Sequence, residues 1–159
     1  MKMVTPQIEV NFASNNPNKI IEVKEILESF GIKVNPLKSK VREIQSNSLE
    51  EIAADSARIT AQATSRSIVV EDAGLFIEAL GGFPGPYSSY VYDTIGCRGI
   101  LKLMENAAKR TATFRSAVSY CEANREPKVF IGETEGKISL TERGGRRFGY
   151  DPIFIPNEL

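Results

Sequence analysis

The chain has 159 residues, enough for one domain with a sizeable core and too few for two ordinary ones. Its apolar share of 42% and charged share of 25% suit a soluble globular protein, and 20 basic residues balance 20 acidic ones, so no global basic field for nucleic acid exists. Histidine is absent, which excludes Ser-His-Asp triads, Cys-His pairs and His-ligated zinc within these residues.

In chain order, the alternation of Ile8, Val10 and Phe12 predicts a first strand. Pro17 then opens a helix capped by Asn16, with Ile20, Val23, Ile26, Leu27 and Phe30 at helical spacing and Gly31 as the stop. "IKVNPL" predicts a second strand, and Ser48–Glu51 is a capping box that opens a helix through about Ala63. "SIVVEDAGL" predicts a short buried strand ending in two acids, followed by the turn-rich "GGFPGPY". A helix is expected from Gly99 to Ala108. "TATFRSAVSYCEA" and "KVFIGETEGKISL" predict two strands joined by "NREP", with Gly136 marking a bulge or a split. "GGRR" reads as a flexible basic loop and "FGYDPIFIP" ends in an apolar stretch. Strand–helix alternation followed by longer hairpin-like strands predicts an α/β fold with a mixed sheet.

No apolar run approaches the roughly 18–20 residues of a membrane span, and no charged-then-apolar leader opens the chain. Cys97 and Cys121 do not read as a disulfide framework or a zinc site. A cytoplasmic protein with neither a membrane nor a nucleic-acid partner is therefore expected.

Five segments can carry chemistry. The turn "SNNPNK", Ser14 to Lys19, lies between a strand and a helix. Backbone N–H groups and the positive helix end can make an anion site there. Lys19 can add a full charge to a phosphate, and Ser14 and Asn16 can donate hydrogen bonds. The alternative is an ordinary capped turn with a solvated lysine. Glu71 and Asp72 follow a buried strand and can bind magnesium or activate water, but adjacent strand residues face opposite ways, so only one points into a site. The alternative is a solvated strand end. Glu43 alone is a surface glutamate. "GGFPGPYSS" is a rigid loop that can wall a base pocket or simply turn over the sheet edge. In "GGRRFGYDP", Phe148 or Tyr150 can stack on a base, Asp151 can accept from it, Arg146 or Arg147 can meet phosphate, and Gly149 lets backbone approach closely. These aromatics can equally be core residues. An all-oxygen metal site would take a hard ion, magnesium first and manganese second.

Taken in order, Ser14-Asn15-Asn16 with Lys19 and Glu22, then Glu43, "EDAGL", "LGGFPGPYSS" and "FGYDPIF" resemble the inosine triphosphate pyrophosphatase family over nearly the whole chain, with "PYSSYVYDTIG" most like archaeal members. The resemblance implies an elongated mixed sheet flanked by helices, two lobes around a central cleft, and a homodimer. It implies that water attacks the α-phosphorus of ITP, dITP or XTP, giving the monophosphate and pyrophosphate, with magnesium as cofactor. By position, Ser14, Asn15, Asn16, Pro17, Asn18 and Lys19 would hold the triphosphate. Glu43 and Asp72 would be metal ligands, with Asp72 also the acid that positions or deprotonates water. Ala73 would also contact substrate, and Phe148, Gly149, Tyr150 and Asp151 would line the base pocket.

Three departures stand out. Ala73 replaces the family's usual Ser or Thr, so one hydroxyl contact is lost. The usual lysine of the second helix is missing, with Ser56 or Arg58 nearby. The family chain continues past "FIP" to a lysine and a Ser-His-Arg motif, so this chain is expected to be incomplete at its C-terminus. The missing histidine then shows only that the core acids suffice for metal chemistry. Two other readings are a Maf-like pyrophosphatase with a different substrate and a nucleotide-binding module with little turnover.

Overall fold

The computed structural model describes residues 8–38, 43–144 and 149–157. Their elements, in order, are β1 (Glu9–Ala13), α1 (Pro17–Ser29), β2 (Lys33–Leu37), α2 (Leu49–Thr64) and β3 (Ile68–Ile77). After a short 3-10 turn at Glu78–Leu80 come β4 (Pro84–Gly85), α3 (Ser88–Leu103), β5 (Thr111–Cys121), β6 (Lys128–Ile138) and β7 (Phe154–Pro156). The strands form a sheet in the order β2-β1-β3-β5-β6-β7, with β4 paired to β3. β1 runs parallel to β2 and β3, whereas β4 is antiparallel to β3 and β7 to β6. This is the mixed α/β sheet flanked by helices that the sequence predicts.

The described residues group into two compact units. The first takes those up to Ile44 together with 51–71 and 118–129; the second takes 45–50, 72–117 and 130–157.

In the first unit, β1 and β2 are parallel and so need a crossover, which α1 supplies. Asn16 caps α1, Pro17 stands in its first turn, and Gly31 follows the C-cap residue Phe30 with a φ of 74°. The apolar stripe of α1 is narrower than its spacing predicts. Ile20, Val23 and Leu27 are half-buried, while Ile26 and Phe30 are 58% and 76% exposed. Ile26 lies about a quarter turn off the line through the other three, and Phe30 is past the helical residues. Phe12, next to the end of β1, is fully buried. Helix α2 buries Ala53, Ala57 and Ala61, a row of small side chains four residues apart.

The second unit has its core in Leu75, Ile77, Val91, Ile100, Met104 and Ile138, with Ile153 and Tyr150 packed among them. Helix α3 begins at Ser88, well before the predicted Gly99, and ends at Leu103 rather than Ala108. Gly96, with φ 59° and ψ −166°, breaks it into two pieces, which blurs the helical period across the break. Past its end, Arg110 points its guanidinium at main-chain oxygens: Nε donates to Ile138 O (2.8 Å), one terminal nitrogen to Met104 O (2.7 Å) and the other to Ser139 O (2.8 Å).

Two strands differ from expectation. β3 does not end at its acids but continues to Ile77, leaving Glu71 and Asp72 in mid-strand. Gly136 makes neither bulge nor split, since β6 runs unbroken past it and pairs it with Pro156. The glycine serves a close approach instead: a Cβ there would strike the Ile155 carbonyl oxygen and come within 2.6 Å of the Phe154 ring.

Candidate functional site

In the first unit, the turn from Ser14 to Lys19 directs three of its N–H groups onto its own side chains, while the Ser14 N–H donates to Leu37 O in β2 (3.0 Å). Ser14 Oγ accepts from the Asn16 N–H (3.1 Å), and Asn16 Oδ1 accepts from the N–H groups of Asn18 (3.0 Å) and Lys19 (3.4 Å). The amides of Asn16, Asn18 and Lys19, expected to help cradle an anion, are thus taken by the turn's own side chains, and Pro17 has none. With their oxygens engaged inward, Ser14 and Asn16 can still present the hydroxyl proton and the amide hydrogens as donors, beside the charge of Lys19. Asn15 and Asn18 are exposed. Lys19 Nζ lies 3.0 Å from Glu71 Oε2 and also donates to the Glu71 main-chain oxygen at 3.3 Å. Sequence reasoning grouped Glu71 with Asp72 and missed this contact across 52 positions. Glu43 is exposed, on the irregular stretch before α2.

Asp72 and Ala73 belong to the second unit and are half-buried on β3. The Ala73 N–H donates to Asp72 Oδ1 at 3.0 Å, which orients the carboxylate. Strand alternation sends Asp72 to the opposite face from Glu71.

The loop read as a pocket wall or a turn braces the strand that carries Asp72. Ser88 Oγ donates to Gly85 O (2.7 Å) and accepts from the Leu75 N–H (2.8 Å), and the Tyr150 hydroxyl donates to Ser88 O (3.0 Å). Three motifs, one of them 62 positions away in sequence, therefore meet at one buried serine. The Ser88→Ala variant strands the Leu75 N–H, and its urea midpoint is expected to fall by the equivalent of about 2 kcal/mol.

Tyr150 is a core residue, 4% exposed, with its ring edge-on to Tyr92 at 5.3 Å. Burial, then the neighbouring Cys97, push its hydroxyl well above the ordinary tyrosine range. Its ring is engaged in packing and its carbonyl oxygen accepts from the N–H groups of Ile153 (2.9 Å) and Phe154 (3.0 Å), while Gly149 before it has a φ of 56°. Asp151 is exposed. Burial pushes the Cys97 thiol up to about 11, with Glu142 and Asp151 adding to it, so it is not a nucleophile at neutral pH. Arg146, Arg147 and Phe148 lie outside the described residues.

Among the described residues, no group of three or more His, Cys, Asp or Glu could hold a metal alone. Magnesium does not need one: it uses one or two carboxylates, with water and substrate phosphates completing its shell. The exposed Glu43 and half-buried Asp72 are hard oxygen donors of that kind. No helix among the described residues is long and apolar enough to cross a membrane.

Comparison with known proteins adds a lineage. The chain is 53% identical to the dITP/XTP pyrophosphatase of Methanopyrus kandleri over 149 residues, which cover 94% of this chain and 79% of that protein. It is 50% identical to the dITP/XTP pyrophosphatase of Hyperthermus butylicus over 144 residues, 91% of this chain and 75% of that one. Its structure resembles that of a HAM1 protein from Coxiella burnetii with a TM-score of 0.79 and 31% identity, covering 92% of this chain and 81% of that one. The Ham1 family model matches residues 10–159, a span that takes in every candidate residue above. With a match of that extent and relatives about half identical, the chain belongs to the Ham1 family.

Proposed function

We propose that the chain is a nucleoside-triphosphate pyrophosphatase that hydrolyses non-standard purine triphosphates, ITP, dITP and XTP, to the monophosphate and pyrophosphate. The observation that carries this reading is the identity of about half the residues with relatives named dITP/XTP pyrophosphatases, over more than nine-tenths of the chain. In this reading the Lys19 ammonium, the Ser14 hydroxyl and the Asn16 amide bind phosphate oxygens. Asp72 orients the attacking water and accepts its proton. Glu43 and Asp72 would hold magnesium, which supplies electrostatic stabilisation of the charge growing on the phosphates. Gly149, Tyr150 and Asp151 meet the base through main-chain N–H groups and carboxylate. A purine bearing a 6-oxo group offers an acceptor where adenine offers a donor, which is the chemical basis for excluding ATP.

The test is pyrophosphate release from ITP, XTP, dITP, ATP and GTP with magnesium. Release from the first three well above the last two is expected. Release only from a modified pyrimidine triphosphate would point to a Maf-like activity instead. Tight ITP binding without release would point to a binding module.

A further inference from the structure

The contact between Lys19 and Glu71 departs from what a helix start favours. Lys19 lies in the first turn of α1, where the helix dipole disfavours a cation and favours an anion. That turn of α1 contains no acidic residue to offset it. The compensation comes from β3. Glu71 meets the ammonium with its carboxylate at 3.0 Å and its main-chain oxygen at 3.3 Å, and the two side chains are only 21% and 13% exposed. Meanwhile the first-turn amides of Asn18 and Lys19 are turned onto Asn16 Oδ1, so the full charge this turn offers an anion is that of the lysine. One half-buried carboxylate therefore sits where a phosphate oxygen would pair with that charge.

We propose that Glu71 is an internal counter-ion of the phosphate cradle: its carboxylate holds the Lys19 ammonium while no nucleotide is bound, and a phosphate oxygen displaces it. The assignment rests on the reading of Ser14–Lys19 as a phosphate site. It gives the two adjacent acids separate roles, Glu71 as a positioning residue acting through Lys19 and Asp72 toward water. Holding Lys19 extended lowers the ordering cost of binding, while the carboxylate weakens affinity by competing for the same ammonium. A cradle so arranged takes up polyphosphate and also lets pyrophosphate go.

The test uses inorganic tripolyphosphate with EDTA, so that neither metal nor base contributes. Glu71→Gln keeps an acceptor for Lys19 and removes the competing charge. Calorimetry is expected to show tripolyphosphate bound roughly three- to tenfold more tightly than by the unaltered chain, the scale of one partly screened ion pair. Acylation of Lys19 by an amine-reactive ester, followed by peptide mass spectrometry, is expected to be faster in the variant. Unchanged or weaker tripolyphosphate binding overturns the proposal. Tighter binding with unchanged acylation also overturns it, because Glu71 would then repel anions without acting through Lys19. Failure of the pyrophosphatase reading is seen separately, as no pyrophosphate released from ITP by the unaltered chain.

Discussion

Asp72→Asn is expected to lower pyrophosphate release from ITP by roughly 10²–10⁴-fold, the range lost with a positioned general base. The substitution is nearly isosteric, and the amide oxygen can still accept from the Ala73 N–H, so the 3.0 Å bond that orients the side chain can persist. What disappears is the charge that would accept a proton and attract a cation. The loss should therefore appear in kcat, with a melting temperature close to that of the unaltered chain. Release within threefold of the unaltered chain would remove Asp72 from the chemistry.

Gly74→Ala is expected to destabilise the protein by about 3 kcal/mol, the upper part of the range for overpacking. A Cβ at position 74 would run into the Gly85 carbonyl oxygen and stand 2.8 Å from its carbonyl carbon. Both atoms belong to main chain, which cannot swing aside as a long side chain can. The insertion must push β4 from β3, breaking the Leu75–Gly85 pairing and straining the bonds of Ser88 to both strands. Urea unfolding followed by circular dichroism measures the loss, and an unchanged midpoint would show that β4 yields freely. Because Gly74 follows Asp72 and Ala73 on one strand, the folded fraction of this variant should also lose activity.

The local features were legible. Asn16 as cap, Pro17 in the first turn and Gly31 past the end are each determined by neighbours a few residues away. The mixed sheet followed from the change of period along the chain. The features that were not legible depend on distant partners. Nothing in "SIVVEDAGL" shows that the strand continues past its acids, because Glu71 is accommodated there by a lysine 52 positions earlier. Ser88 looks like one of two loop serines until Gly85, Leu75 and Tyr150 gather around it. The first piece of α3 was hidden by the glycines and prolines before it and by the break at Gly96. At the site, residue types were visible and directions were not: the Asn16 oxygen faces inward to its own turn, and the Tyr150 ring belongs to the core.

The guanidinium of Arg110 has a consequence for how the second unit opens. Met104 is the C-cap of α3, while Ile138 ends β6 and Ser139 follows it, so one planar cation neutralises the carbonyl end of a helix and the end of a strand together. Fraying of either end forfeits bonds that hold the other. Under native-state hydrogen exchange the amides of Met104 and Ile138, which donate to Ile100 O and Arg110 O, should therefore share one opening free energy and one denaturant dependence, as members of a single cooperative unit.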